Sequence, residues 1–176
     1  MNNSRGAHFS RFFLLLLTLI CLTGCDTFAP SLSSTPTMDL RAVDDIASVI
    51  FSPEQAEAAQ VELLASVEGN FEGYWMPSGK ELLTLEEQLG PYLQAHADQF
   101  FAHPTVWEQL DEYHRQYAGL TVDGVSLIYG NFFCGEGQMD WLTEWVIVMD
   151  GGDCYFQILY NVKNDTFIRL QVNGDA

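Results

Sequence analysis

The hydrophobic pattern of this chain changes period near Tyr117, and that change limits the fold more than any other feature. Upstream, helix starts recur. Ser52-Pro53-Glu54-Gln55, Ser78-Gly79-Lys80-Glu81 and Thr105-Val106-Trp107-Glu108 each place a hydroxyl residue three positions before Glu or Gln. That spacing lets two side chains satisfy the free N–H groups of a first helical turn, and proline at the second position fits the same turn. The spacing predicts a helix from Pro53 to Val67 and another through Leu82, Leu83, Leu85 and Leu89, kinked or restarted at Pro91. A third would carry Trp107, Leu110, His114 and Tyr117 on one side. Residues 38–51 also read as helical, with Ile46, Val49 and Ile50 on one face.

Downstream the signals are those of strands. Asp123-Gly124 between apolar flanks predicts a tight hairpin, with a strand continuing over 125–133. Trp145 to Met149 is apolar on both faces and reads as a central strand. Gly151-Gly152 offers a second turn, Cys154 to Tyr160 a further strand, and 161–165 a third turn. In the last strand Ile168, Leu170 and Val172 alternate with Arg169 and Gln171. Helices first and strands after make an α+β domain over 38–176, its helices on one face of an antiparallel sheet of four to five strands. This order loosely resembles cystatin-like folds, in which a helix lies on a curved sheet. Such a likeness speaks to fold and not to function.

The N-terminus carries an address. Arg5 and Arg11 precede an apolar run from Phe12 to Leu22, the layout of an export signal. The run is about half of the roughly 20 apolar residues that a spanning helix needs. It ends in Leu22-Thr23-Gly24-Cys25, which resembles the lipobox of bacterial lipoproteins. The resemblance implies cleavage of 1–24 and lipid, palmitate included, on Cys25. More than one acyl chain makes such anchoring stable. Residues 25–37 then form the anchor and a Ser-, Thr- and Pro-rich tether. Asp26, next to the anchor, resembles the inner-membrane retention signal of enterobacterial lipoproteins. The expected location is a cell membrane, with the domain on its outer, extracytoplasmic side.

Charge narrows the partners. Seven Lys and Arg stand against 24 Asp and Glu, for a net charge of −17. Phosphate backbones would be repelled, so no nucleic-acid partner is expected. Attachment to an anionic membrane falls to the lipid on Cys25 for the same reason.

With Cys21 in the signal and Cys25 lipidated, Cys134 and Cys154 remain. Two cysteines in an exported domain usually pair. Geometry objects: in a plain meander of strands 125–133, 145–149 and 154–160 the two would sit at opposite ends. A nine-residue strand spans roughly 30 Å, whereas bridged α-carbons lie within about 7 Å. Either 135–143 carries the chain across the sheet and the bridge forms, or both thiols are buried.

Chemistry-bearing motifs are sparse. His96, His103 and His114 have no helical metal-pair spacing. No nucleophile elbow, zinc-protease helix or phosphate loop occurs, and Asp150-Gly-Gly-Asp153 reads as a turn rather than a calcium loop. The expectation is no catalytic residue, no metal and no cofactor. Tyr74, Trp75 and Trp141 are the candidates for an exposed aromatic binding face. Segments 128–134, 150–156 and 172–174 resemble a recurring pattern in uncharacterised bacterial envelope proteins, which adds no activity. The expected role is a membrane-anchored, non-catalytic binding or assembly module with an envelope protein or glycan as partner. An envelope hydrolase acting on cell-wall or glycan material, or an inhibitor-like domain, is the alternative.

Overall fold

The computed structural model describes residues 47–102, 105–135 and 140–174, all within the compact unit Thr37–Ala176. The expected signal and tether, Cys25, His103 and residues 38–46 lie outside the described residues. The order is β1 (Ser48–Ile50), α1 (Pro53–Ala58), α2 (Val61–Leu64), β2 (Phe71–Trp75), α3 (Gly79–Ala95), β3 (His114–Val122), β4 (Val125–Phe133), β5 (Tyr155–Asn161) and β6 (Thr166–Val172).

The sheet is mixed and has six strands in the order β1-β3-β4-β5-β6, with β2 also on β3. This corrects the wholly antiparallel sheet of four to five strands. β1 replaces the described end of the first expected helix. It runs parallel to β3, Ser48 opposite Arg115 and Ile50 opposite Tyr117. Val49 and Ile50 are β-branched, and a free strand edge draws such residues from a weak helical period. β2 pairs antiparallel with the other half of β3, from Phe71 opposite Val122 to Trp75 opposite Gly119. β1 and β2 thus take successive lengths of β3. Gly73 breaks the alternation of the aromatic run Phe71-Glu-Gly-Tyr-Trp75, and the register shifts between Phe71 and Gly73.

Both serine capping boxes form. Ser52 accepts from Gln55 N while the Gln55 side chain accepts from Ser52 N. Ser78 and Glu81 do the same for α3. The helix expected to reach Val67 instead breaks at Gln60, which is left-handed with φ 52°. The turn aims Ala56, Val61 and Ala65 at one core. α3 runs on through Pro91, whose position is exposed. Water can take the carbonyl that proline leaves unbonded there. The third expected helix is reduced to two short 3-10 turns, Val106–Glu108 and Leu110–Glu112. Tyr117 belongs to β3, where nine residue pairs with β4 outweigh its helical spacing.

Asp123 and Gly124 both have positive φ, 49° and 71°, as a two-residue hairpin turn requires. They join β3 to β4 from Val122 opposite Val125 to His114 opposite Phe133. The expected central strand over 145–149 is absent. β4 pairs directly with β5, Phe133 opposite Tyr155, so the two cysteines lie at one shared end. Cys134 N donates to Cys154 O at 3.0 Å, and the disulfide closes at a Cα–Cα distance of 5.1 Å. The bridge therefore forms because the plain meander does not. The last strand departs from simple alternation as well. Tyr160 pairs with Phe167 and Leu159 with Arg169, so Ile168 bulges out and is 53% exposed.

Alternation along the strands separates two cores. Tyr117, Ile128, Phe132, Phe156, Ile158 and Tyr160 cluster with Leu82, Leu85, Leu89 and Leu93 of α3. The intervening residues Ala118, Leu120, Leu127, Tyr129 and Leu159 cluster with Ala56, Val61, Ala65 and Trp145. Residues of opposite parity point to opposite faces of a sheet, so apolar cover comes to both faces rather than the one expected.

Candidate functional site

Residues 140–150, here termed the strap, cross the second face outside the named strands and end in a single parallel bridge from Asp150 to Gly174. Their backbone is held by side-chain amides that stand in a row across the strands. Gln116 of β3 donates through Nε2 to Trp141 O and Glu144 O, both at 2.7 Å. Its Oε1 accepts from Val146 N at 2.9 Å and from Asn131 Nδ2 at 3.1 Å. Asn131 of β4 also donates to Val146 O at 2.9 Å. Gln157 of β5 donates to Asn131 Oδ1 and Asn173 Oδ1 at 3.3 and 3.4 Å. Asn173, just past β6, donates to Val148 O at 2.5 Å and Asp150 O at 3.3 Å.

Gln116 and Asn131 are buried, and a buried amide is tolerated when its donors and acceptors are engaged. Here they are engaged by a chain segment with no ladder of its own. Trp145 supplies the apolar half of the attachment. It is 6% exposed, edge-on to Phe51 and stacked at 5.6 Å on Tyr129. The next residues turn outward, with Ile147 53% and Met149 83% exposed. A cleft of about 150 Å³ opens beside them, with Leu64, Tyr129, Gln157 and Gln171 in its wall. A groove between α1 and the strap is lined by Ala58, Ala59, Trp145 and Ile147.

The three aromatic candidates do not share a surface. Tyr74 and Trp75 are neighbours on β2 and pack into different cores. The Tyr74 hydroxyl is bonded to the Glu62 carboxylate, and Trp75 Nε1 donates to Leu120 O at 3.1 Å. Trp75 lies directly over Gly119, where any Cβ would collide with its ring. Trp141 sits at the far end of β3, its ring 4.6 Å from His114 and 6.0 Å from Phe133. All three are built into the fold. The binding candidates missed from sequence are Ile147 and Met149. Their apolar run reads in sequence as a sheet interior, and only the neighbouring amides reveal otherwise.

The other polar cluster lies under α3. Arg115 is buried, with Nη1 and Nη2 each donating at 2.7 Å to Tyr113 O and Leu110 O. Its Nε lies 2.9 Å from Glu86 Oε1, but the N–H does not point at the oxygen. The contact is a charge pairing rather than an aligned hydrogen bond. Tyr117 donates its hydroxyl to the same carboxylate oxygen. Burial, then the Glu86 charge, drives the Tyr117 phenol well above its ordinary 10.0. Arg115 and Tyr117 both engage the Glu86 carboxylate and none of the three lines the clefts described above, which marks the cluster as structural. His96 caps α3 with Nδ1 2.8 Å from Tyr92 O. Among the described residues no three His, Cys, Asp or Glu side chains converge as metal ligands.

No described helix is long and apolar enough to cross a membrane. Comparison of the chain with protein families, curated proteins and solved structures gave no match.

Proposed function

We propose that the chain is a membrane-anchored lipoprotein of the bacterial cell envelope, working as a non-catalytic binding or assembly module. The anchor rests on the residues Leu22-Thr23-Gly24-Cys25 after a basic and apolar leader. Lipid on Cys25 would hold the domain at the extracytoplasmic side of a membrane, the inner one where Asp26 is read as a retention signal.

The observation that carries the binding role is the strap. Its backbone is fixed by three amide side chains, Gln116, Asn131 and Asn173, while Ile147 and Met149 stand in solvent. Exposed apolar groups on a pre-ordered backbone give up little conformational freedom on binding, which is what affinity requires.

The test is crosslinking in living cells, comparing native protein with Cys25→Ser and following incorporation of labelled palmitate. Label on native protein alone, with a defined protein captured only by the anchored form, is the expected result. Equal labelling of Cys25→Ser would remove the anchor, and failure to capture any reproducible protein would remove the assembly role.

A further inference from the structure

We propose that Asn173 is a site of spontaneous deamidation, and that its conversion to isoaspartate or aspartate releases the far end of the strap irreversibly. The proposal goes beyond the binding role and stands on the geometry of the strap alone. Asn173 is followed by Gly174, and no other Asn in the chain precedes a glycine. A residue without a side chain lets its main-chain nitrogen approach the preceding Asn side chain closely, which makes Asn-Gly the most labile setting for an asparagine. Nothing in the fold asks for glycine there. Among the described residues a Cβ on Gly174 would meet nothing within 4 Å, and its φ is not left-handed. Gly151 differs on both counts, with φ 108° and the Tyr155 ring where its Cβ would stand.

The same two residues hold the strap by side chain and by main chain. Asn173 Nδ2 donates to Val148 O at 2.5 Å and Asp150 O at 3.3 Å, while its Oδ1 accepts from Gln157 at 3.4 Å. Gly174 forms the parallel bridge with Asp150, and its carbonyl accepts from Gly152 N at 3.1 Å. In the reaction the Gly174 nitrogen, having given its proton to water or hydroxide, attacks Asn173 Cγ. The Cγ–Nδ2 bond breaks, ammonia leaves with a proton from water, and a cyclic imide results. Water then opens the imide, at the main-chain carbonyl to give isoaspartate or at Cγ to give aspartate. The net change is one water taken up and one ammonia lost. Either product puts a carboxylate, which only accepts, against two carbonyl oxygens, and both strap hydrogen bonds are lost. Isoaspartate also adds a carbon to the main chain and moves Gly174 out of register with Asp150. The closed strap opposes the attack, because it holds both reacting residues. Reaction therefore follows local opening, and afterwards the strap has no fastener to close on.

The experiment incubates full-length protein in detergent in mildly alkaline buffer and maps it by proteolysis and mass spectrometry, with isoaspartate detected by enzymatic methylation. A free peptide spanning 168–176 supplies the rate without the strap. Product at Asn173 should accumulate in the protein about tenfold more slowly than in the peptide. Gln116→Leu, which unfastens the strap away from the reacting atoms, should bring the protein to about the rate of the peptide. Gly174→Ala has room for its methyl group, and should slow protein and peptide alike about tenfold. Converted protein, and Asn173→Asp, should exchange the Gly152 N–H rapidly while β3 and β4 amides stay protected. Equal rates in native protein and peptide would overturn the inference by showing no gate. No product in Gln116→Leu when the peptide is fully converted would overturn it by removing the site. Unchanged exchange at Gly152 in converted protein would overturn it by removing the release.

Discussion

The two faces of the sheet are covered by different physics. Under α3 the cover is leucine on aromatic: Leu82, Leu85, Leu89 and Leu93 meet Phe132, Phe156, Ile158 and Tyr160, with Phe132 and Phe156 stacked at 4.6 Å. Among the described residues its one charged pair, Arg115 and Glu86, is 4% and 13% exposed. On the opposite face α1 and α2 supply small apolar contacts, and the strap is fastened largely by amides. Hydrophobic cover cannot be lifted without exposing the core. A cover held by side-chain hydrogen bonds, each worth about 1 kcal/mol net, can be loosened locally. The first face holds the fold and the second displays a surface.

Alkali should break the comparison most completely. Burial raises the phenols of Tyr113 and Tyr160 to about 12, and those of Tyr117 and Tyr129 further. A group whose folded pKa is raised stabilises the fold fully below its unfolded value, here 10, and loses that contribution as pH climbs through the folded value. Three of the four tyrosines belong to the α3 core. Phenolate absorbance should therefore appear together with loss of near-ultraviolet circular dichroism above pH 10. Independent titration near 10 with the fold intact would show these phenols accessible.

Among substitutions Glu86→Ala should cost most, about 3–5 kcal/mol, because it leaves Arg115 charged and buried. Urea denaturation measures this, and a loss below about 1 kcal/mol would place the pair in effective contact with water. Replacing both Cys134 and Cys154 by Ser should cost about 3 kcal/mol through the unfolded chain. The strap should remain closed, since Phe133 and Tyr155 already hold together the two ends of the 134–154 connection that contains it. Faster exchange at Val146 N–H in that variant would show the disulfide to be the fastener instead.

Gln116→Leu reverses the pattern. It removes the acceptor for Val146 N and the donor for two strap carbonyls, at about 1–3 kcal/mol. Exchange at Val146 should rise sharply while β3 and β4 amides stay protected. Smallest is Ser78→Ala, about 1 kcal/mol from the lost α3 cap, read as a lowered thermal midpoint with the strap unchanged.

What was legible in the sequence was local. The Asp123-Gly124 turn, strand 125–133 and the two serine caps depend on residues within a few positions of each other. The run Trp145 to Met149 is not a central strand, because apolarity measures preference for an interior without saying which neighbours supply it. Trp145 does go inside, whereas Met149, four residues on, is 83% exposed. The binding candidates moved for the same reason, from aromatics that fill the fold to aliphatic side chains that the amides hold outward.

The sequence by itself determined the Asp123-Gly124 turn and the two serine-capped helix starts, because such features are settled by a few adjacent residues. Tertiary structure alone decided that β1 and β2 share one strand, that Cys134 meets Cys154, and that three distant amides fasten the strap. Each of those depends on groups far apart in the chain, brought together only once the sheet has formed.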